Sequence, residues 1–123
     1  WGVSGIYECD KALFLQYRDR FVSAFPWVSH HGARREYGRV MLRLLEHREY
    51  CPDRVAAEQL VETVCAWSIE PGVKLSEKVW YFSILKLLSR QVEWGGEMLQ
   101  QFVEMSQADS SPGMRVLLRR LGE

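Results

Sequence analysis

Residues 76–92 read SEKVWYFSILKLLSRQV, and this stretch decides how the rest of the chain is arranged. Apolar side chains occupy so many of its positions that little of a helical circumference is left polar. A helix that is apolar on most sides must be covered on most sides. We therefore predict a central helix over residues 76–92, with the remaining elements packed around it.

Apolar residues recur at helical spacing on both sides of this stretch, and no segment alternates as a half-buried strand would. Proline, glycine and capping residues separate the periodic segments. The further helices are predicted over 8–25, 33–50, 53–69 and 97–107, with a last one starting at Ser111-Pro112. The predicted fold is all-α, a single domain over residues 1–123 in which about six helices form three antiparallel helical hairpins.

Composition narrows the class of protein. The 123 residues carry sixteen basic and sixteen acidic side chains, so no global field attracts nucleic acid or anionic lipid. No uncharged apolar run approaches the ~20 residues that a membrane-spanning helix needs. Three cysteines, an odd and small number, favour a reducing compartment, so we expect an intracellular protein, cytoplasmic or nuclear. The chain begins with Trp1 and not with Met, which leaves open that it is part of a longer helical-repeat protein.

A weak internal repeat connects two of the predicted helices. Leu60 and Val64 correspond to Leu99 and Val103 at a spacing of 39 residues. Repeats built from helical hairpins, such as HEAT and armadillo repeats, have periods of about 40 residues. The spacing favours hairpins stacked along the chain.

The last predicted helix, PGMRVLLRRLGE over residues 112–123, and the turn before it resemble the second half of a HEAT repeat. Asp109 stands in the predicted turn, and Met114 and Arg115 follow it as the aliphatic and basic pair that opens the second helix in that family. The resemblance covers the chain from Gly95 onward, whereas the middle hairpin lacks the aspartate and arginine pair. It implies a right-handed α-solenoid of HEAT or armadillo type that serves as a non-catalytic adaptor or scaffold for protein binding.

A binding surface is predicted on the second helix. Arg35, Arg39 and Arg43 repeat every four residues and therefore share one helix face, and Trp27 lies in the loop before it. Guanidinium groups pair with carboxylates or phosphates, and arginine and tryptophan are enriched at interface centres. We predict that these residues bind a protein partner with an acidic segment. The competing interpretation is a solvated helix face, with the partner bound by Lys78 and Arg115 on the second helices of the hairpins.

Other candidate chemistry is weaker. His47 and Cys51 have the spacing of two zinc ligands, to which Cys9, His30 or His31 would have to be added, but helix capping and burial explain the pair better. Cys65 lies among core residues and not beside an activating base. No phosphate-binding loop, dinucleotide fingerprint or catalytic motif is present. We therefore predict no enzyme activity, no metal and no cofactor.

Two alternatives to the scaffold stay open at this point. One is a closed six-helix assembly module of death-domain type that associates with its own kind. The other is phosphate or RNA binding through the arginine face, which the balanced net charge disfavours.

Overall fold

The computed structural model describes residues 11–106 together with Arg115, Val116 and Arg119, and residues 11–106 form six α-helices. The helices are α1 (Lys11–Gln16), α2 (Arg18–Ala24), α3 (His31–Glu46), α4 (Arg54–Ser68), α5 (Leu75–Leu88) and α6 (Glu93–Ser106), with a 3-10 turn at Phe25–Trp27. The described residues contain no strand, which confirms the all-α prediction. Arg115, Val116 and Arg119 are helical and exposed, whereas Asp109 and Met114 lie outside the described residues.

Helix α5 is central, as its sequence predicts. It packs against α3, α4 and α6, and Tyr81, Ile84 and Leu85 on it are fully buried. Burying a large aliphatic or aromatic side chain contributes about 1.5–3 kcal/mol. The predicted central position of this segment is confirmed.

Helix α3 packs mainly against α5, two places further along the chain, and α4 packs against both α5 and α6. Besides α4 with α5 and α5 with α6, the extensive pairs are α3 with α5 and α4 with α6. Aromatic stacking connects the N-terminal part to this set: the rings of Phe21 and Tyr37 lie 4.8 Å apart, and those of Phe25 and Trp67 lie 4.7 Å apart. This packing is compatible with stacked hairpins.

Three predicted boundaries are wrong. The single helix predicted over 8–25 is interrupted at Tyr17, between α1 and α2. Helix α3 ends at Glu46 and not at Tyr50, because Arg48 takes a left-handed conformation with φ of 56°. The Glu49 amide then donates to the Leu44 carbonyl at 2.9 Å, the hydrogen bond that closes a Schellman motif.

The third error concerns Gly95-Gly96, which the sequence places between two helices and the structure places inside α6. A Cβ atom on Gly95 would stand 3.0 Å from Val61 Cγ1, and one on Gly96 would stand 3.1 Å from Ser89 Cβ. The two glycines therefore permit α6 to lie close against α4 and the end of α5. The chain turns earlier, between Ser89 and Val92, so the helix predicted to run to Val92 ends at Leu88.

Candidate functional site

A groove of about 460 Å³ lies between α3 and α5. Its lining residues are Arg35, Glu36, Arg39 and Arg43 from α3, and Ser76, Val79 and Trp80 from α5. The structure thus brings the three predicted arginines together along one wall. Val79 and Trp80 form an apolar wall opposite them, and sequence reasoning did not assign these two residues to the site.

The sequence of α3 places the arginines there. Val40, Met41 and Leu44 are buried on the core side of the helix, so the four-residue arginine repeat must face away from it. Gly38 lets α3 approach α5 closely, since a Cβ atom there would stand 3.3 Å from Trp80 Cβ. The groove lies along this close helix pair.

The charge in the groove is predominantly positive. Three guanidinium groups and one carboxylate line it, and Arg35 is exposed while Arg39 and Arg43 are half-buried. Guanidinium groups bind carboxylates and phosphates through paired, charge-assisted hydrogen bonds. The groove is therefore suited to an anionic group that carries an apolar neighbour for Trp80.

Trp27 does not line this groove. Its side chain is 84% exposed at the end of the 3-10 turn. The structure therefore brings together three of the four residues predicted to form the binding site. The aromatic residue that lines the groove together with the arginines is Trp80, which belongs to a different helix and lies far from them in sequence.

A second charged cluster, which sequence reasoning missed, surrounds Arg34. The Arg34 side chain is only 11% exposed, donates from Nε to the Val28 carbonyl at 2.8 Å, and pairs with Glu70. Its guanidinium also lies 5.1 Å from the centre of the Trp67 ring, a cation–π distance. These contacts hold the start of α3 against the end of α4.

Glu77 continues this cluster into the core. The carboxylate is buried, and its Oε2 accepts a hydrogen bond from the Tyr81 hydroxyl at 3.1 Å and lies 3.1 Å from His31 Nδ1. His31 Nε2 is also 3.7 Å from Glu70 Oε2. Burial, and then the Glu77 carboxylate, raise the pKa of Tyr81. Within the described residues every buried polar side-chain atom has a hydrogen-bond partner, so this cluster is satisfied internally.

One sequence signal points to this cluster. Glu77 is an acidic residue in the most apolar helix of the chain, and a buried carboxylate requires partners. The histidines of the predicted loop lie at the helix start: His30 caps α3 by accepting from the Gly32 amide at 3.2 Å, and His31 contacts Glu77. Their proximity to α5 depends on the tertiary fold, which the sequence does not display.

The surroundings of the two described cysteines, Cys51 and Cys65, are not those of a catalytic nucleophile. Burial raises the pKa of the Cys65 thiol to about 11, the opposite of what an activated nucleophile needs. The predicted burial of Cys51 is wrong: the residue is exposed, and its Sγ lies 3.7 Å from the Arg48 carbonyl. Among the described residues no three His, Cys, Asp or Glu side chains are grouped as metal ligands; Cys9 lies outside them.

None of the helices in the described part of the chain combines the length and the apolarity needed to cross a bilayer.

The chain matches no model of a known protein family, and searches of curated proteins and of solved structures found no significant similarity.

Proposed function

We propose that the protein is a non-catalytic scaffold, built from HEAT-like helical hairpins, that binds an acidic segment of a partner protein in the groove between α3 and α5. The observation that carries this proposal is the arrangement of the groove. Arg35, Arg39 and Arg43 stand on one wall, and Val79 and Trp80 stand on the other. Cations beside an aromatic ring are typical of interface centres.

The packing of the helices supports the hairpin stack. In stacked hairpins each unit contacts its neighbours in sequence, so equivalent helices of successive units pack together. The pairs α3 with α5 and α4 with α6 follow this rule, and α4 with α5 forms the hairpin between them. In this arrangement α3 and α5 are both second helices, but Lys78 does not line the groove, so binding through Lys78 and Arg115 stays the competing interpretation.

A protein ligand fits the groove better than a nucleic acid does. The arginines extend over only about 12 Å of helix, since a helix rises 1.5 Å per residue. Glu36 lies among them, and the chain as a whole has no net charge to concentrate a polyanion. A short acidic segment matches these limits.

The proposal is tested by peptide binding. Fluorescence anisotropy is measured for a short labelled peptide rich in glutamate and leucine, for the same peptide with glutamine in place of glutamate, and for a single-stranded oligonucleotide. The glutamate peptide is expected to bind most tightly. The double reversal R39E/R43E should weaken its binding by about tenfold or more, because paired charges are lost from a partly desolvated contact.

A matched control is the double reversal R54E/R90E, which changes the net charge equally at exposed positions that do not line the groove. It should leave the affinity unchanged. Circular dichroism establishes that each variant is folded before its affinity is compared. Equal weakening by both variants, or preferential binding of the oligonucleotide, would contradict the proposal.

A further inference from the structure

Helix α6 has a composition opposite to that of α3. It carries Glu93, Glu97 and Glu104 and no lysine or arginine, whereas α3 carries four arginines and two glutamates. The net charge of the chain is therefore zero although it contains one basic helix, α3, and one acidic helix, α6. This separation of charge is visible only after the helix boundaries are known.

The exposed face of α6 is organised into two stripes. At about 100° per residue, the three glutamates fall within roughly 40° of one another around the helix axis. Trp94 and Met105 lie about 100–120° from Glu93 by the same rotation, beside the acidic stripe. Trp94 is 36% exposed and Met105 is 73% exposed, while Phe102 on the opposite side is buried.

These stripes complement the groove in chemistry and in spacing. Glu93 and Glu97 repeat the four-residue interval of Arg35, Arg39 and Arg43, so their carboxylates would match the guanidiniums if α6 of another molecule lay along α3. Trp94, which follows Glu93, would then face the wall formed by Val79 and Trp80. An amphipathic helix seated in a groove between two helices is a common mode of protein recognition.

We infer that the partner of the groove is a second copy of this chain, whose α6 places its glutamates on the α3 arginines and its Trp94 against Trp80. This inference rests on the proposed function, because it names the occupant of the same groove. The acceptor surface, α3 with α5, and the donor surface, α6, are different parts of the molecule. Such a heterologous contact leaves one free surface at each end of a dimer and builds longer assemblies.

Sedimentation velocity tests the inference with two neutralised variants of the full chain. R39Q/R43Q removes charge from the groove and keeps α6 intact; E93Q/E97Q does the reverse. Wild-type protein should sediment faster as its concentration rises, and each variant alone should sediment as a monomer at the same concentrations. An equimolar mixture should form a dimer and nothing larger, because only one intact groove and one intact α6 are available per pair.

The control is E58Q/E62Q, an acidic pair at the same four-residue spacing on α4, which should assemble like the wild type. Circular dichroism establishes that each variant is folded. Assembly that persists in both neutralised variants, or a mixture that stays monomeric, would overturn the inference. A wild type that is monomeric at every concentration yet still binds the glutamate peptide would overturn the inference alone, whereas loss of peptide binding as well would also overturn the proposed function.

Discussion

Arg34 and Arg35 are adjacent in sequence and have opposite surroundings. Arg34 is 11% exposed, pairs with Glu70 and stacks over Trp67, so its donors are used within the fold. Arg35 is exposed and lines the groove with Arg39 and Arg43. One residue along a helix turns a side chain by about 100°, which here separates a structural arginine from a candidate binding arginine.

The cluster around Glu77 and the groove differ in the same way as these two arginines. Both use α3 and α5 and both contain charge, but the Glu77 carboxylate is buried with its partners in the core, whereas the groove carries three guanidinium groups and one carboxylate along an open surface. A buried polar network gains nothing from a ligand, since its groups already have partners. Substitutions in the cluster around Glu77 should therefore lower the free energy of unfolding. Substitutions of the groove arginines should lower the affinity for the glutamate peptide.

The largest effect is expected from Glu77→Ala. The variant leaves the Tyr81 hydroxyl without its acceptor and removes the carboxylate beside His31, so the free energy of unfolding should fall by about 2–4 kcal/mol. Urea denaturation followed by circular dichroism measures it. Glu36→Ala in the groove is the matched control and should change stability by less than about 0.5 kcal/mol. Equal stability of the two variants would remove the distinction between the clusters.

A smaller difference in stability is expected between alanine variants of the adjacent residues Arg34 and Arg35. Arg34→Ala loses the hydrogen bond to Val28, the pair with Glu70 and the cation–π contact, and should cost about 1–2 kcal/mol. Arg35→Ala should cost less than about 0.5 kcal/mol, because the exposed side chain contributes little to folding. The same denaturation assay compares them. If Arg35→Ala proves the more damaging, the assignment of the two arginines is inverted.

The smallest effect is expected at Arg48, just beyond α3. There the backbone conformation, and not the charge of the side chain, determines how a substitution changes the stability. Its φ of 56° lies in the left-handed region, which glycine adopts without a steric penalty. Arg48→Gly should therefore raise stability by about 0.5–1 kcal/mol, and Arg48→Ala should give no such gain. Thermal melts of the two variants distinguish the contributions. A gain from alanine equal to that from glycine would assign the effect to the arginine side chain.

The predictable parts of the molecule are those that depend on one helix at a time. The central position of residues 76–92 and the arginine stripe both follow from periodicity, and both are found in the structure. What could not be predicted depends on pairs of helices. A Gly-Gly pair marks either a break or a close contact, and only the position of Val61 opposite Gly95 decides between them. Likewise, nothing in the sequence indicates that Trp80 stands across the groove from Arg39, or that His31 lies beside Glu77.

The most direct measurement of the difference between Arg34 and the groove arginines is heteronuclear NMR of the arginine Nε–Hε groups during titration with the glutamate peptide. The Nε–Hε signals of Arg35, Arg39 and Arg43 should shift progressively until the protein is saturated. The signal of Arg34, already bonded to the Val28 carbonyl, should stay in place. A shift of Arg34 with the groove signals unmoved would contradict the account.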